Sequence, residues 1–200
     1  MFYWIAYFLL WLLSKIFFPI TVYGSKHIPA SGNVIIASNH VSNLDPIILG
    51  LAYKRHTSYL AKDSLFRNKI FGFVLLKVSS AFPIKRNTGD IGALREALKR
   101  LSRGDSLVMF PEGTRKSALG EKQPQQGIGF LAVKSGVPVI PAYILGSDKV
   151  MPPGAKHLAR AAVTVIFGKP LAFARQNEHY EEITSQIMQQ IDFLPSSIKA

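Results

Sequence analysis

Residues 33–51 read NVIIASNHVSNLDPIILGL, and how this stretch folds decides the class of the whole chain. Val34 to Ala37 form an uninterrupted apolar run between polar residues, which predicts a buried strand over Asn33–Ser38. Seven residues after that strand, Asp45 precedes Pro46, the order expected of a helix N-cap followed by its first helical residue, and a helix is predicted over Pro46–Leu51. A strand that passes through a short polar loop into a helix is the building unit of an α/β sheet. His40 then stands just past the strand, where such sheets present side chains to a ligand crevice. From these residues alone, His40 reads equally as a general base or as an imidazole held by Ser38, Asn39 or Ser42. Asp45 reads equally as a helix cap or as the acid that orients it. The two roles of Asp45 are compatible, since a capping carboxylate can also accept an imidazole N–H.

The same alternation continues outward. Further strands are predicted over Ser58–Lys62, Ser80–Ile84, Ser106–Pro111, Pro138–Ile144 and Ala162–Gly168. Helical patterns occupy Leu65–Lys77, Gly89–Leu101, Gly127–Lys134 and Glu178–Phe193. In the second of these, Ile91, Leu94, Leu98 and Leu101 share one face at spacings of three and four. Two hundred residues with 48% hydrophobic content suit one α/β domain with a mixed, largely parallel sheet flanked by helices. No internal repeat or linker marks a second domain, and Leu119–Gln126 and Gly146–Lys156 read as surface loops. Two prolines in Val137-Pro-Val-Ile-Pro141 predict a strand at the edge or rim of the sheet. Gly127-Ile-Gly-Phe-Leu-Ala132 matches a loose dinucleotide-binding pattern, but no apolar strand precedes it, so that reading is rejected.

Residues 1–20, MFYWIAYFLLWLLSKIFFPI, form a hydrophobic segment ahead of a domain over residues 21–200. Lys15 and Pro19 shorten the apolar run below the ~20 residues a spanning helix needs. A basic leader and a small-residue cleavage site are both missing, which argues against a secretory signal. A spanning helix, a helix inserted from one side and a buried core helix all fit the composition. Tyr3, Trp4, Tyr7 and Trp11 suit a headgroup interface, so a membrane-associating helix is expected. With no cysteine in the chain there is no disulfide framework and no thiolate nucleophile, and a cytosol-facing protein is the simpler reading. The expected location is therefore the cytoplasmic face of the cell membrane. Five scattered histidines lack ligand spacing, so no metal site is expected. The formal net charge of +12 favours anionic partners. Nucleic acid is disfavoured, because basic and aromatic residues are not interleaved. Membrane and phosphate are the better fit.

Two further stretches end predicted strands with charge. Phe110-Pro-Glu-Gly-Thr-Arg115 joins a glycine, which permits close backbone approach to an anion, to a planar guanidinium. Phe82-Pro-Ile-Lys-Arg-Asn87 ends in a basic pair. No GxSxG nucleophile elbow and no GxxxxGK[ST] phosphate loop occurs.

Taken in order, NHVSNLDP, FPIKRN, FPEGTR and GVPVIPAYI resemble the glycerolipid acyltransferase family, particularly its 1-acyl-sn-glycerol-3-phosphate acyltransferases, from about Gly24 to Pro170. The resemblance implies His40 as general base and Asp45 as its orienting partner. It implies a substrate-binding set of Arg86, Glu112, Gly113, Thr114 and Arg115 for a phosphate-bearing acceptor. The implied reaction moves a fatty acyl group from acyl-CoA or acyl-carrier protein to the sn-2 hydroxyl of lysophosphatidic acid, with no cofactor. Where the family often has lysines before a glycine, this chain has Gln125-Gln126-Gly127, with Lys122 nearby. That departure points away from a lysine contact and toward a different acceptor head group, such as that of glycerol 3-phosphate or another lysolipid. A thioesterase using the same base on water and a non-catalytic membrane-binding protein are the two other classes.

Overall fold

The computed structural model describes residues 2–66, 80–84, 90–112, 126–152, 155, 157–176 and 178–198. In chain order the helices are α1 (Phe2–Phe17), α2 (Asp45–Tyr53), α3 (Ile91–Ser102), α4 (Gly127–Ser135), α5 (Ser147–Val150) and α6 (Tyr180–Phe193). The strands are β1 (Ile20–Tyr23), β2 (Ile35–Ser38), β3 (Thr57–Lys62), β4 (Ala81–Ile84), β5 (Ser106–Met109), β6 (Val139–Leu145) and β7 (Val163–Phe167). They form one seven-stranded sheet in the order β1-β7-β6-β2-β5-β3-β4. Neighbours from β6 through β2, β5 and β3 to β4 run parallel, as do β1 and β7. Among the described strands only the β6–β7 pair is antiparallel. The predicted α/β class with a mixed, largely parallel sheet is therefore observed.

Period-two alternation divides the core. Val34 and Ile36 enter one cluster with Val108, Ile140, Ala142 and Phe167, while Ile35 and Ala37 enter the other with Leu107, Met109 and Val139. The first cluster is covered by α2, the second by α3, α4 and α6. Fully buried side chains such as Ile36 and Ile48 each contribute about 1.5–3 kcal/mol by leaving water. α2 is apolar nearly all round because the sheet lies beneath it and α1 above. Gly50 is needed where α2 seats on β3, because a Cβ there would lie 2.5 Å from the Tyr59 hydroxyl oxygen. α3 begins at Asp90, whose side chain accepts the Ala93 N–H at 3.0 Å, and ends with Lys99 and Arg100 in its last turn, the charges its dipole favours. Ile91 of the predicted apolar stripe is exposed, and Ala93 and Ala97 are the residues buried in its place.

Four expectations change. β1 is an addition to the predicted strands: four residues directly after an apolar helix do not separate from it by hydropathy. The proline-bearing strand is not at an edge, for β6 lies between β2 and β7. Its Pro141 sits instead at a bulge. Two residues separate Val139 from Ala142, but three separate Phe167 from Leu171, the residues they face. The Pro141 carbonyl accepts the Gly168 N–H there, so the side of the strand that lacks an N–H faces the irregular stretch. Within the expected loop 146–156, Ser147–Val150 form a helical turn with Ser147 and Val150 buried. Finally, no helix among the described residues is long and apolar enough to cross a membrane. The 16 residues of α1 span about 24 Å, against about 30 Å for a bilayer core. The predicted helix over Leu65–Lys77 lies, beyond residue 66, outside the described residues.

α1 divides its two sides between different surroundings. Tyr7, Leu10 and Phe17 pack on the first core cluster, and the Tyr3 and Tyr7 hydroxyls donate to the carbonyls of Arg55 and Leu51. Burial raises both phenol pKa values. The opposite side leaves Trp4, Ile5, Phe8, Leu9, Leu12 and Ile16 exposed.

Candidate active site

The C-terminal ends of the parallel strands β2, β3, β4, β5 and β6 lie along one edge of the sheet, and the charged motifs follow those ends. His40 comes two residues after β2, the strand held between β5 and β6. Asn39 explains why the chain leaves the sheet there. Its side-chain amide donates to the Ile144 carbonyl at 3.0 Å and accepts the Ile144 N–H at 2.8 Å. One side chain thus satisfies both backbone groups of β6 that the next residue of β2 would otherwise engage. The backbone is released, and His40 starts the turn from a fixed point.

The turn closes on Asp45. Its Oδ2 accepts the His40 Nδ1–H at 2.8 Å and the Val41 and Ser42 backbone N–H groups, each at 2.7 Å. Asp45 was expected to cap α2, but it is the first residue of that helix and its carboxylate faces back into the preceding turn. No side-chain cap bond is made at this N-terminus. Ser42 holds the far side of the turn, donating its hydroxyl to the Met151 carbonyl at 3.0 Å and accepting the Leu44 N–H at 3.3 Å.

The His40 and Asp45 side chains are 10% and 0% exposed. A carboxylate can only accept, so the proton of the imidazole sits on Nδ1 and Nε2 carries the lone pair. Nε2 has no hydrogen bond among the described residues, and neither does the buried Asp45 Oδ1. An acid–imidazole pair in this tautomer can take a proton at Nε2 and hold the resulting imidazolium against the carboxylate. The ring of Phe110, just past β5, stacks on the imidazole with centroids 4.2 Å apart and planes inclined by 23°. Glu112, two residues further on, is also buried at this edge.

The structure therefore brings together His40 and Asp45 and places Glu112 after an adjacent strand. Arg86, Gly113, Thr114 and Arg115 lie outside the described residues, as does Lys122. Sequence reasoning missed the contributions of Asn39, Ser42 and Phe110. Asn39 could be suspected as a polar residue directly after a buried strand; the stack of Phe110 on His40 joins two distant motifs and has no local signal. The rejected glycine pattern is a helix-packing feature: a Cβ on Gly129 would strike the Tyr180 carbonyl of α6, and its N–H donates to Thr184 Oγ1 at 3.3 Å. Among the described residues no group of three His, Asp or Glu side chains is placed to hold a metal ion.

The chain is similar in sequence and in fold to several acyltransferases. It is 31% identical to the 1-acyl-sn-glycerol-3-phosphate acyltransferase of Bacillus subtilis, over 90% of this chain and 89% of that one. It is 29% identical to the chloroplastic 1-acyl-sn-glycerol-3-phosphate acyltransferase of Arabidopsis thaliana over 88% of this chain, and spans 50% of that relative's length. The crystal structure of the 1-acyl-sn-glycerophosphate acyltransferase PlsC from Thermotoga maritima superposes with a TM-score of 0.79 at 25% identity, covering 97% of this chain and 80% of that chain. The family model described as Acyltransferase matches residues 19–145, a range that includes β1, the His40–Asp45 turn and β6. The chain belongs to the acyltransferase family.

Proposed function

We propose that the protein transfers a fatty acyl group from an acyl thioester, acyl-CoA or acyl-carrier protein, to the sn-2 hydroxyl of 1-acyl-glycerol 3-phosphate. The observation that carries the reading is the 2.8 Å contact between His40 Nδ1 and the buried Asp45 carboxylate at the C-terminal edge of the sheet. The names of the relatives support the acceptor. His40 Nε2 takes the proton of the acceptor hydroxyl as its oxygen attacks the thioester carbonyl carbon. Asp45 stabilises the imidazolium so formed. The tetrahedral intermediate collapses with cleavage of the carbon–sulfur bond, and the departing thiolate recovers the proton from the imidazolium. The products are the diacylated phosphate and a free thiol. The chain has no cysteine and no serine elbow, which supports direct attack over an acyl-enzyme.

Arg86 and Arg115 are the guanidinium groups assigned to the acceptor phosphate, with Glu112, Gly113 and Thr114 completing the acceptor site. Holding the phosphate fixes the hydroxyl relative to the base, a contribution of position and not of chemistry. The exposed apolar side of α1 is assigned to the cytoplasmic surface of the cell membrane, where acceptor and product reside. Its length suits a helix lying in the interface.

The test is a labelled acyl thioester offered with lysophosphatidate, with glycerol 3-phosphate, with a phosphate-free lysolipid and with no acceptor. Label should move to lysophosphatidate, and thioester loss should depend on it. Loss at the same rate without acceptor would make the protein a thioesterase. Preference for another acceptor would overturn the assigned substrate and leave acyl transfer standing.

A further inference from the structure

We propose that Phe110 is a positioning residue for the base: its ring face holds the His40 imidazole in one orientation and stabilises the imidazolium that forms in the transition state. The proposal rests on the reading of His40 as general base. Its basis is the stack itself, with centroids 4.2 Å apart and planes 23° from parallel. Asp45 fixes only one atom of the imidazole, through Nδ1. One hydrogen bond restrains the ring but still tolerates small coupled changes of its two side-chain torsions, which tilt its plane. A flat aromatic against its face removes this freedom, so Nε2 keeps one direction.

The stack has a second consequence. A neutral imidazole on a phenyl face gains an ordinary aromatic contact. Once the imidazole holds the acceptor's proton it is a cation, and the electron-rich face of Phe110 attracts it more strongly. Only the difference between these states accelerates the reaction, because an interaction equal in both would leave the barrier unchanged. The site is suited to this effect. His40 is nearly excluded from water, and Phe110 is half-buried against the first core cluster, which backs its ring. Phe110 also opens the Phe-Pro-Glu-Gly-Thr-Arg stretch, so the segment assigned to the acceptor begins with the residue that aligns the base.

The experiment replaces Phe110 with phenylalanines carrying one, two and three ring fluorines, which weaken the negative face with little change of shape. kcat for acyl transfer should fall stepwise along the series while KM for both substrates and the melting temperature stay constant. Phe110→Leu should lower kcat about tenfold, and Phe110→Trp should retain most of it. A flat kcat across the fluorinated series, with the wild-type enzyme active and His40→Ala inactive, would overturn the inference alone. Full activity in His40→Ala would instead overturn the reading of the base on which it rests.

Discussion

The two ends of the parallel strands carry polar clusters of similar size and opposite character. At the N-terminal end, the Arg100 guanidinium donates to Glu96 Oε1, Ser58 Oγ and the Ser80 carbonyl at 2.8–3.0 Å and lies over the Phe82 ring. Asn33 donates to the carbonyls of Leu101 and Asp105, and the Ser106 hydroxyl meets the Tyr53 hydroxyl at 2.9 Å and accepts the Val34 N–H at 3.3 Å. These bonds close the loops that feed β2, β4 and β5. At the C-terminal end, three donors converge on one oxygen of Asp45, while among the described residues its other, buried oxygen and the His40 Nε2 have no hydrogen bond. A buried polar atom without a partner costs stability. The N-terminal end spends most of its polar groups on the fold, with Thr57 Oγ1 the exception among the described residues; the C-terminal end holds an acid–imidazole pair with capacity that the fold does not use. That surplus is the physical signature of a site.

The contrast can be broken by substitution, beginning with the largest effect. Asp45→Asn preserves size and can still accept the Val41 and Ser42 N–H groups, but it removes the charge that stabilises the imidazolium. Turnover per folded molecule should fall about 10²–10⁴-fold, measured with saturating acceptor. Arg100→Ala should do the reverse. Loss of its charged hydrogen bonds should cost about 1.5–3 kcal/mol, a drop in Tm of roughly 3–12 °C, with turnover unchanged at temperatures where the protein is folded. If Arg100→Ala abolished turnover without lowering Tm, the division between the two ends would not hold.

The smallest effect on the fold is expected at α1. Compared with α6, it shows the same division of purpose across the sheet. α6 buries Ile183, Ile187 and Ile191 and turns Glu181, Glu182, Gln189 and Gln190 to water. α1 only half-buries Tyr7, Leu10 and Phe17 and leaves Phe8 and Leu9 each 58% exposed. Phe8→Ser should change folding stability by less than about 0.5 kcal/mol and yet reduce co-sedimentation with anionic vesicles severalfold. Equal sedimentation of variant and wild type would remove the membrane assignment.

Much of this was legible before the structure, for stated reasons. Buried parallel strands read as short apolar runs, so β2, β3, β5, β6 and β7 were found near their observed bounds. The spacing of His40 and Asp45 admitted the pair, though not its geometry. β1 was hidden because its partner, β7, is remote in sequence and its four residues follow an apolar helix. Strand order was also out of reach, and the prolines of β6 misled because a bulge accommodates Pro141 as well as an edge would. Asp45 was half understood: the helix start was read correctly, but the donors its carboxylate accepts lie before it, not after. Asn39 and Phe110 act across the sheet on Ile144 and His40, and no local pattern encodes a contact of that range.

The most direct measurement is acyl transfer to lysophosphatidate by His40→Ala, beside the wild type at equal folded concentration. Turnover should fall about 10²–10⁴-fold, with vesicle binding retained. Transfer at a rate near that of the wild type would show that the imidazole is not the base, and that the surplus at this end of the sheet serves something else.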